Sequence, residues 1–180
     1  RPPKLKEGET PPPPAYEVIA DSVVVIAKAD APLPLGVTDT VHVELDTRLD
    51  NRFLDLRRAH IAAMFRLRGK VLQYGREALI NEGFFETHTP KIVATATEGG
   101  TDLFPMQYFD TPAFLNQSPQ LFKQLCMSGG LERVFEIGPE FRAEKHDTYR
   151  HLNEFISFDI ECSWSTDEDV MGVLELSLIH

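Results

Sequence analysis

Two segments, residues 135–144 and 154–162, restrict the fold of this chain more than any other part of its sequence. In the second segment an apolar set alternates with a second set: Ile156, Phe158, Ile160 and Cys162 against Phe155, Ser157, Asp159 and Glu161. A period of two predicts a strand with one buried face and one face that can present chemistry. The same spacing puts Arg142 and Glu144 on one face of the first segment. An antiparallel pair of these strands would therefore gather both residues on one surface with Phe155, Ser157, Asp159 and Glu161.

The segment between the two strands is too long for a tight hairpin turn and is rich in hydrogen-bond donors. It contains Lys145, His146, Arg150 and His151. The guanidinium group of Arg142 can hold a phosphate or a carboxylate through two parallel hydrogen bonds. The strand pair and its loop therefore predict a site for an anion.

The same segments resemble motif 2 of the class II aminoacyl-tRNA synthetases, in which Phe-Arg-x-Glu, a polar loop and a second strand follow one another. The run Arg-His-Leu-Asn-Glu-Phe, residues 150–155, is similar to the aspartyl enzymes of the archaeal and eukaryotic branch. The resemblance extends from about Pro32 to about Glu161, and it includes residues 46–52, 87–91, 97–100 and 117–124. Several long motifs in the same order are much more specific than one short pattern.

The resemblance implies an α+β fold, with a partial class II antiparallel sheet flanked by helices and preceded by a remnant strand of an OB-fold barrel. Residues 1–30 would be a linker and the last strand of the anticodon-binding barrel, and residues 31–57 a hinge. Residues 58–180 would form the N-terminal half of the catalytic domain. Within it, motif 1 would lie at about 58–91 and motif 2 at about 133–162.

Composition and β propensity, taken without the resemblance, also predict a linker and two strands. Residues 1–15 hold six of the thirteen prolines and predict an extended linker. The β-prone residues 16–29 predict one strand, which the resemblance assigns to the barrel, with a place in the main sheet as the less favoured alternative. A second strand is expected over residues 84–90, where it would end at a proline.

Helix signals occur at three places. The apolar spacing over about residues 58–82 predicts a long helix ended by Gly83. Ser118 and Pro119 predict the N-terminus of a helix that runs to Gly129. A third helix is expected from about Asp167, after a cap formed by Ser165 and Thr166.

The resemblance also implies roles for individual residues. Arg142 would be the catalytic residue, contacting both the ATP α-phosphate and the aspartate carboxylate. The ATP-binding set would be Arg142, Ala143, Glu144, Arg150, His151, Leu152 and Phe155, in which Glu144 accepts from the adenine amino group and Phe155 stacks on the ring. The aspartate-binding set would be Glu98, Ser118, Gln120, Leu121, Phe122, Lys123, Arg142 and Asp159. Glu98, on a loop with paired glycines, would close over the substrate ammonium group together with Asp159.

Lys123 allows a choice between substrates on physical grounds. A site for lysine should not direct a cation at its substrate's side chain, whereas an acidic substrate needs one near its β-carboxylate. Aspartate is therefore favoured over lysine. Asparagine stays open, because it is isosteric with aspartate and the family's principal side-chain arginine belongs to a later segment.

The reaction implied by the resemblance is the ATP-dependent activation of L-aspartate and its transfer to the 3′ end of tRNA(Asp), with tRNA(Asn) as a further acceptor to be tested. Mg²⁺ is expected with ATP, but its ligands and motif 3 are not found in this sequence, so no metal ligand is predicted here and the 180-residue chain is expected to be inactive alone. A homodimer formed through motif 1 is expected as well.

Composition excludes some classes of protein. No apolar run is long enough to cross a bilayer, and no basic-then-apolar leader is present, which predicts a cytoplasmic protein without a membrane. Cys126 and Cys162 lack the spacing of a zinc site or a disulfide framework. The net charge of -10 is unusual for a partner of nucleic acid, but residues 46–76 carry eight Lys and Arg against three Asp.

Two alternatives remain beside an aspartate-activating enzyme. One is a non-catalytic paralogue or fragment that dimerises and binds nucleotide or a partner. The other is an asparaginyl or asparagine-forming relative, of which the ammonia-using type would have no use for a barrel strand and a hinge.

Overall fold

The computed structural model describes residues 19–38, 40–96, 102–146, 148 and 150–179. The chain divides into two units, Arg1–Asp55 and Leu56–His180.

The first unit contains two short helices, α1 (Leu45–Asp50) and α2 (Arg52–Asp55). Its best-defined polar feature is the buried carboxylate of Asp55. Arg48 donates to it through Nε at 2.9 Å and through Nη2 at 3.3 Å, and Arg52 donates through Nη1 at 2.8 Å. Arg48 and Arg52, which belong to the basic residues counted over 46–76, are therefore engaged in ion pairs.

The strand predicted over residues 16–29 is not formed in the part that the structure describes, residues 19–29. The side chains of Val23, Val24 and Ile26 are all exposed there. β-Prone residues form a strand only when a neighbouring strand takes up their backbone hydrogen bonds, and no described segment does so.

The second unit begins with the long helix α3 (Ala59–Asn81), as its apolar spacing predicted. Gly83 follows with φ of 80°, and the amide of Phe84 donates to the carbonyl of Leu79 at 3.0 Å. A glycine in this left-handed conformation ends the helix, because residues with a Cβ rarely adopt it.

Two three-stranded sheets follow. The strands are β1 (Phe85–Glu86), β2 (Ile92–Val93), β3 (Pro105–Tyr108), β4 (Thr111–Leu115), β5 (Arg133–Phe141) and β6 (Glu154–Cys162). One sheet has the order β1-β5-β6, with β1 parallel to β5 and β5 antiparallel to β6. The other has the order β2-β4-β3 and is antiparallel. Asn116 connects the sheets, since its amide donates to the carbonyl of Lys91 and its carbonyl accepts from the amide of Phe141.

The predicted antiparallel pair is confirmed, but two boundaries differ. The strand expected over residues 84–90 is only Phe85–Glu86. The strand β5 ends at Phe141, so Arg142 and Glu144 lie beyond it and do not share a face through strand alternation.

Helix α4 (Gln120–Ser128) follows Pro119, and helix α5 (Asp167–Ile179) begins at a mutual cap between Thr166 and Asp169. The amide of Thr166 donates to Asp169 Oδ2 at 2.8 Å, and the amide of Asp169 donates to Thr166 Oγ1 at 3.3 Å. The N-termini of both helices lie within one residue of the predicted positions. The residue that caps α5 is Thr166 rather than Ser165.

The core of the second unit lies on one face of the β5–β6 pair. It consists of Leu79, Phe84, Phe135 and Ile137, with Ile160 and Cys162 packed against it. The prediction that the apolar face of β6 is buried is wrong at Ile156 and Phe158, because each of these residues is 40% exposed. The helices α3 and α5 cover the end of the sheet near Ile160 and Cys162, and within the described residues nothing covers Ile156 to the same degree.

Candidate functional site

The opposite face of the β5–β6 pair carries the polar side chains. In the register of this pair Glu136 lies opposite Asp159, Glu140 opposite Phe155, and Gly138 opposite Ser157. Residues directly opposite one another in an antiparallel pair point to the same side of the sheet. The sequence therefore builds one surface from Phe155, Ser157, Asp159 and Glu161 of β6 together with Glu136 and Glu140 of β5.

Arg142 lies just beyond the end of β5 and is held there by its backbone. Its amide donates to the carbonyl of Asn153 at 3.0 Å, which extends the strand pairing by one bond. Its guanidinium carbon is 5.2 Å from the centre of the Phe155 ring, within the range of a cation–π contact. Its Nε is buried and has no hydrogen-bond partner among the described residues. A buried donor without a partner is costly, so this position favours an incoming acceptor.

Six residues line a cavity of about 340 Å³ at the loop between β5 and β6: Arg142, Glu144, Arg150, His151, Leu152 and Phe155. They are six of the seven residues predicted to bind ATP. The seventh, Ala143, does not line the cavity, and its amide donates to the carbonyl of Asp102 at 2.9 Å.

The loop above this cavity is organised by local hydrogen bonds. Asn153 Oδ1 accepts from the amide of Glu144 at 3.0 Å, and Thr148 Oγ1 and His151 Nδ1 are 2.7 Å apart. The rings of His146 and His151 meet edge to face at 5.7 Å. These contacts bring His151 to the cavity, while Lys145 forms an exposed ion pair with Asp102 at 2.8 Å.

Lys123 lies on α4 and is fully buried against β6. Its ammonium group is 3.5 Å from Asp159 Oδ1 and 3.6 Å from Glu161 Oε2, and it donates to the carbonyl of Ile160 at 3.2 Å. Gln120 Nε2 donates to Glu161 Oε2 at 2.9 Å. The structure thus brings Gln120, Lys123 and Asp159 together as predicted, and it adds Glu161 as a second carboxylate on the cation.

The other residues predicted to bind aspartate are placed differently. Ser118 is buried before α4, where its Oγ accepts from the amide of Gln120 at 3.2 Å. Leu121 and Phe122 line a separate, mainly apolar groove of about 410 Å³ with residues of β2. Glu98 lies outside the described residues.

Glu140 is a buried acid that is not among the site residues predicted from the sequence. Ser157 Oγ donates to its Oε1 at 2.5 Å, and its Oε2 is 3.9 Å from Arg142 Nη2. Burial raises the pKa of Glu140 to about 7, with a smaller increase from Asp159 and opposing effects from Ser157 and Lys91. The alternation within β5, which puts Glu136 and Glu140 on the same side as Ser157 and Asp159, was the signal that could have identified it.

Glu136 forms a second buried cluster on this surface. Lys91 Nζ is 2.7 Å from its Oε1, and Thr89 donates to it through its amide at 3.2 Å and through Oγ1 at 2.7 Å. Lys91 and Thr89 follow β1, so this ion pair fixes the segment between β1 and β2 against the sheet. Sequence spacing could not reveal it, because the partners are more than 40 residues apart.

Within the described ranges, no three His, Cys, Asp or Glu side chains are gathered closely enough to hold a metal ion. The carboxylates of the surface are instead engaged by Lys91, Lys123 and Ser157. Of the helices described, none is both long and apolar enough to span a membrane.

Comparison with known families and sequences gives one consistent result. The family model described as tRNA synthetases class II (D, K and N) matches residues 44–180. An aspartate–tRNA(Asp/Asn) ligase of Archaeoglobus fulgidus is 62% identical over 163 residues, covering 91% of this chain and 38% of the relative. An aspartate–tRNA(Asp) ligase of Pyrococcus abyssi is 53% identical over 179 residues, covering 99% of this chain and 39% of the relative. The chain therefore spans less than two fifths of the length of these relatives.

Solved structures agree with this result. A Leishmania major Friedlin chain described as an aspartyl-tRNA synthetase superposes with a TM-score of 0.76 at 38% identity, covering 84% of this chain and 30% of that one. An asparaginyl-tRNA synthetase of Pyrococcus horikoshii, solved with asparaginyl-adenylate, gives a TM-score of 0.68 at 34% identity, covering 76% of this chain and 33% of that one.

Proposed function

Because the chain belongs to the class II tRNA synthetases of the D, K and N group, we propose that it forms part of an enzyme that activates L-aspartate with ATP and transfers it to tRNA. The observation that carries this proposal is the cavity lined by Arg142, Glu144, Arg150, His151, Leu152 and Phe155. An aromatic ring, a carboxylate and three cationic or donor side chains around one space suit a nucleotide with a phosphate chain. The names of the relatives, which are aspartate–tRNA ligases, support aspartate as the amino acid.

In this proposal ATP lies along the cavity. The adenine ring stacks on Phe155, and Glu144 accepts a hydrogen bond from its amino group. Arg142 holds the α-phosphate, an assignment supported by its buried Nε, which has no hydrogen-bond partner in the part of the chain that the structure describes. Arg150 and His151 reach the outer phosphates from the loop.

Aspartate is proposed to bind between Arg142 and Lys123. It carries one ammonium group and two carboxylates at neutral pH. Lys123 and Arg142 supply charge for the carboxylates, and Asp159, 3.5 Å from Lys123, supplies charge for the ammonium group. Lysine would instead place a second ammonium group beside Lys123, which would be repelled.

The proposed chemistry needs no nucleophilic side chain. An oxygen of the aspartate α-carboxylate attacks the α-phosphorus, the bond to the pyrophosphate oxygen breaks, and aspartyl-adenylate and pyrophosphate are formed. The 3′-hydroxyl of the terminal ribose of tRNA then attacks the aspartyl carbonyl and displaces AMP. The protein contributes position and charge, with Arg142 at the phosphorus where negative charge must be stabilised. Mg²⁺ would accompany the ATP phosphates and would neutralise part of their charge when bound.

A homodimer through motif 1 belongs to the same proposal, with the cytoplasm as its location. Four apolar residues of α3, Met64, Leu67, Val71 and Tyr74, are each at least 54% exposed and recur at intervals of three and four. This exposed stripe of α3 has the spacing of a helix-packing seam. It supports α3 as the surface on which a second copy would pack.

The test is amino-acid-dependent exchange of labelled pyrophosphate into ATP by the full-length protein. Aspartate should support exchange, and lysine should not. Exchange with asparagine and not with aspartate would favour the asparaginyl alternative. ATP binding without exchange for any amino acid would favour the non-catalytic paralogue. If exchange succeeds, charging of tRNA(Asp) and tRNA(Asn) with labelled aspartate decides which acceptors are used.

A further inference from the structure

Glu140 is buried at the centre of the polar surface, yet the function proposed above does not use it. It sits directly opposite Phe155 in the β5–β6 register and two residues before Arg142. Its Oε1 accepts a hydrogen bond from Ser157 Oγ at 2.5 Å. Its Oε2 is 3.9 Å from Arg142 Nη2, close enough for attraction between charges but too far for a hydrogen bond.

Charged groups face Glu140 from three sides. Asp159 on β6 opposes its ionisation, and Lys91, which follows β1, favours it. Lys91 is already engaged by Glu136 on the same strand as Glu140, so its charge is largely compensated. Among the described residues Arg142 is the other cation close to Glu140, with its Nη2 3.9 Å from Oε2, and it is the residue to which a ligand phosphate is expected to bind. Glu140 and such a phosphate would therefore depend on the same guanidinium group.

We propose that Glu140 is a positioning residue that couples anion binding at Arg142 to the uptake of one proton. In the site without ligand the ionised carboxylate attracts Arg142. When a phosphate takes the guanidinium group, Glu140 becomes protonated and keeps its hydrogen bond with Ser157. The inference rests on the proposed function in one respect, because it takes the ligand of Arg142 to be the α-phosphate of ATP.

The sign of the effect follows from electrostatics. A phosphate at Arg142 adds negative charge beside Glu140 and withdraws the attraction of the cation, and both changes favour the protonated carboxyl group. The pKa of Glu140, raised by burial to about 7 in the site without ligand, is therefore higher still in the complex. Below the pKa of the site without ligand, the free protein and the complex both hold the proton, so the affinity for ATP does not change with pH. Above that pKa the complex binds one more proton than the free protein, so the affinity for ATP falls by up to about tenfold per pH unit until the pKa of the complex is reached.

The experiment measures ATP dissociation constants for the full-length protein between pH 6 and pH 9 by titration calorimetry. The variants are Glu140→Gln, which cannot ionise, and Ser157→Ala, which keeps the carboxyl group and removes its donor. The matched control is Glu132→Gln, the same substitution at an exposed position. ATP itself titrates in this range, but its contribution is the same for every variant, so differences between proteins isolate Glu140.

Relative to Glu140→Gln, the wild type should lose affinity steeply above about pH 7, and Glu132→Gln should follow the wild type. In Ser157→Ala the loss should begin at a higher pH, because the hydroxyl donor that favours ionisation is gone. Identical profiles for the wild type and Glu140→Gln would overturn the inference while leaving ATP binding intact. If Glu140→Gln does not fold, an unshifted Ser157→Ala profile overturns it. Absence of ATP binding in every variant at every pH would instead overturn the proposed function.

Discussion

At the scale of single residues, the environment of Lys123 is the basis for the proposed choice of substrate. Its ammonium group is buried between two carboxylates, Asp159 and Glu161, at 3.5 and 3.6 Å. Burying a lone cation would be very costly, so these acids make the position stable. In the proposed function a substrate carboxylate would replace part of the interaction of Asp159 with Lys123, and Asp159 would then bind the ligand ammonium group. The local balance of charge therefore suits an acidic amino acid.

Replacing Lys123 by Met should raise the KM for aspartate at least about tenfold and change the KM for ATP by less than about threefold. Only the acidic substrate is expected to meet this charge. Steady-state pyrophosphate exchange with each substrate varied in turn measures both constants. Equal losses for aspartate and ATP would mean that Lys123 has a general structural role.

A control is needed because Lys123→Met leaves two partly exposed carboxylates without their shared cation. Breaking a fully buried ion pair from one side costs about 3–5 kcal/mol, and the partial exposure of these two carboxylates lowers the loss expected here. The double variant with Glu161→Gln removes one of the two negative charges and should recover part of that stability in urea unfolding. The selective loss of aspartate affinity should persist in it.

Site residues could be predicted from the sequence where they belong to a motif that is specific enough to recognise. Arg142, Glu144, Arg150, His151 and Phe155 meet at one cavity, although β5 ends before the first of them. Partners that depend on long-range packing could not be predicted. The contact of Lys91 with Glu136 exists only because the segment after β1 packs against β5, and the contact of Ser157 with Glu140 needs the register of β5 and β6, which alternation alone does not give.

At the scale of elements, α3 crosses β6 at a glycine. A Cβ added at Gly75 would lie 2.8 Å from two ring carbons of Phe158, closer than side chains normally approach. Gly69 of the same helix has nothing within 4 Å of such an atom. The two glycines share the same helical cost in backbone entropy, so they form a matched pair that isolates the contact with Phe158.

Gly69→Ala should stabilise the protein by about 0.5–1 kcal/mol, because alanine is the better helix former. Gly75→Ala should instead destabilise it by about 1 kcal/mol, because the clash with Phe158 exceeds that gain. Urea unfolding of both variants measures the difference. Equal stabilisation by the two substitutions would show that Phe158 moves aside without cost.

The elements also show what sequence periodicity can and cannot establish. The helices α3 and α4 begin and end close to the predicted residues, and α5 begins close to its predicted residue, because caps and Gly83 act locally. A strand was predicted over residues 16–29 from β propensity and the resemblance, and the described part, residues 19–29, forms none. Alternation in β6 identified a strand correctly but not how far its apolar face is covered, since Ile156 and Phe158 are partly exposed. Coverage depends on neighbouring elements rather than on the strand itself.

At the scale of the whole molecule, the exposed stripe of α3 is the feature that bears on assembly. The double substitution Leu67→Glu and Val71→Glu would place charge in a desolvated seam between two copies. In the full-length protein this double substitution should convert a dimer to a monomer in light scattering at micromolar concentration. Phe109→Asn is the control, because Phe109 is 82% exposed outside the stripe and its φ of 50° suits asparagine. A dimer that survives both glutamates would exclude this stripe as the interface.

The position of Arg142 carries the central claim, that the cavity at the β5–β6 loop holds the reacting phosphate of ATP. Aspartate-dependent pyrophosphate exchange by the full-length protein tests it most directly, in the wild type, Arg142→Ala and Arg142→Lys. Loss of a fixed donor at a reacting centre lowers turnover by about 100- to 1,000-fold, and lysine cannot replace the planar guanidinium group. We expect exchange in the wild type, a loss of at least this size in Arg142→Ala and partial activity at most in Arg142→Lys, with unchanged circular dichroism. Exchange near the wild-type rate in a folded Arg142→Ala protein would contradict this role of Arg142.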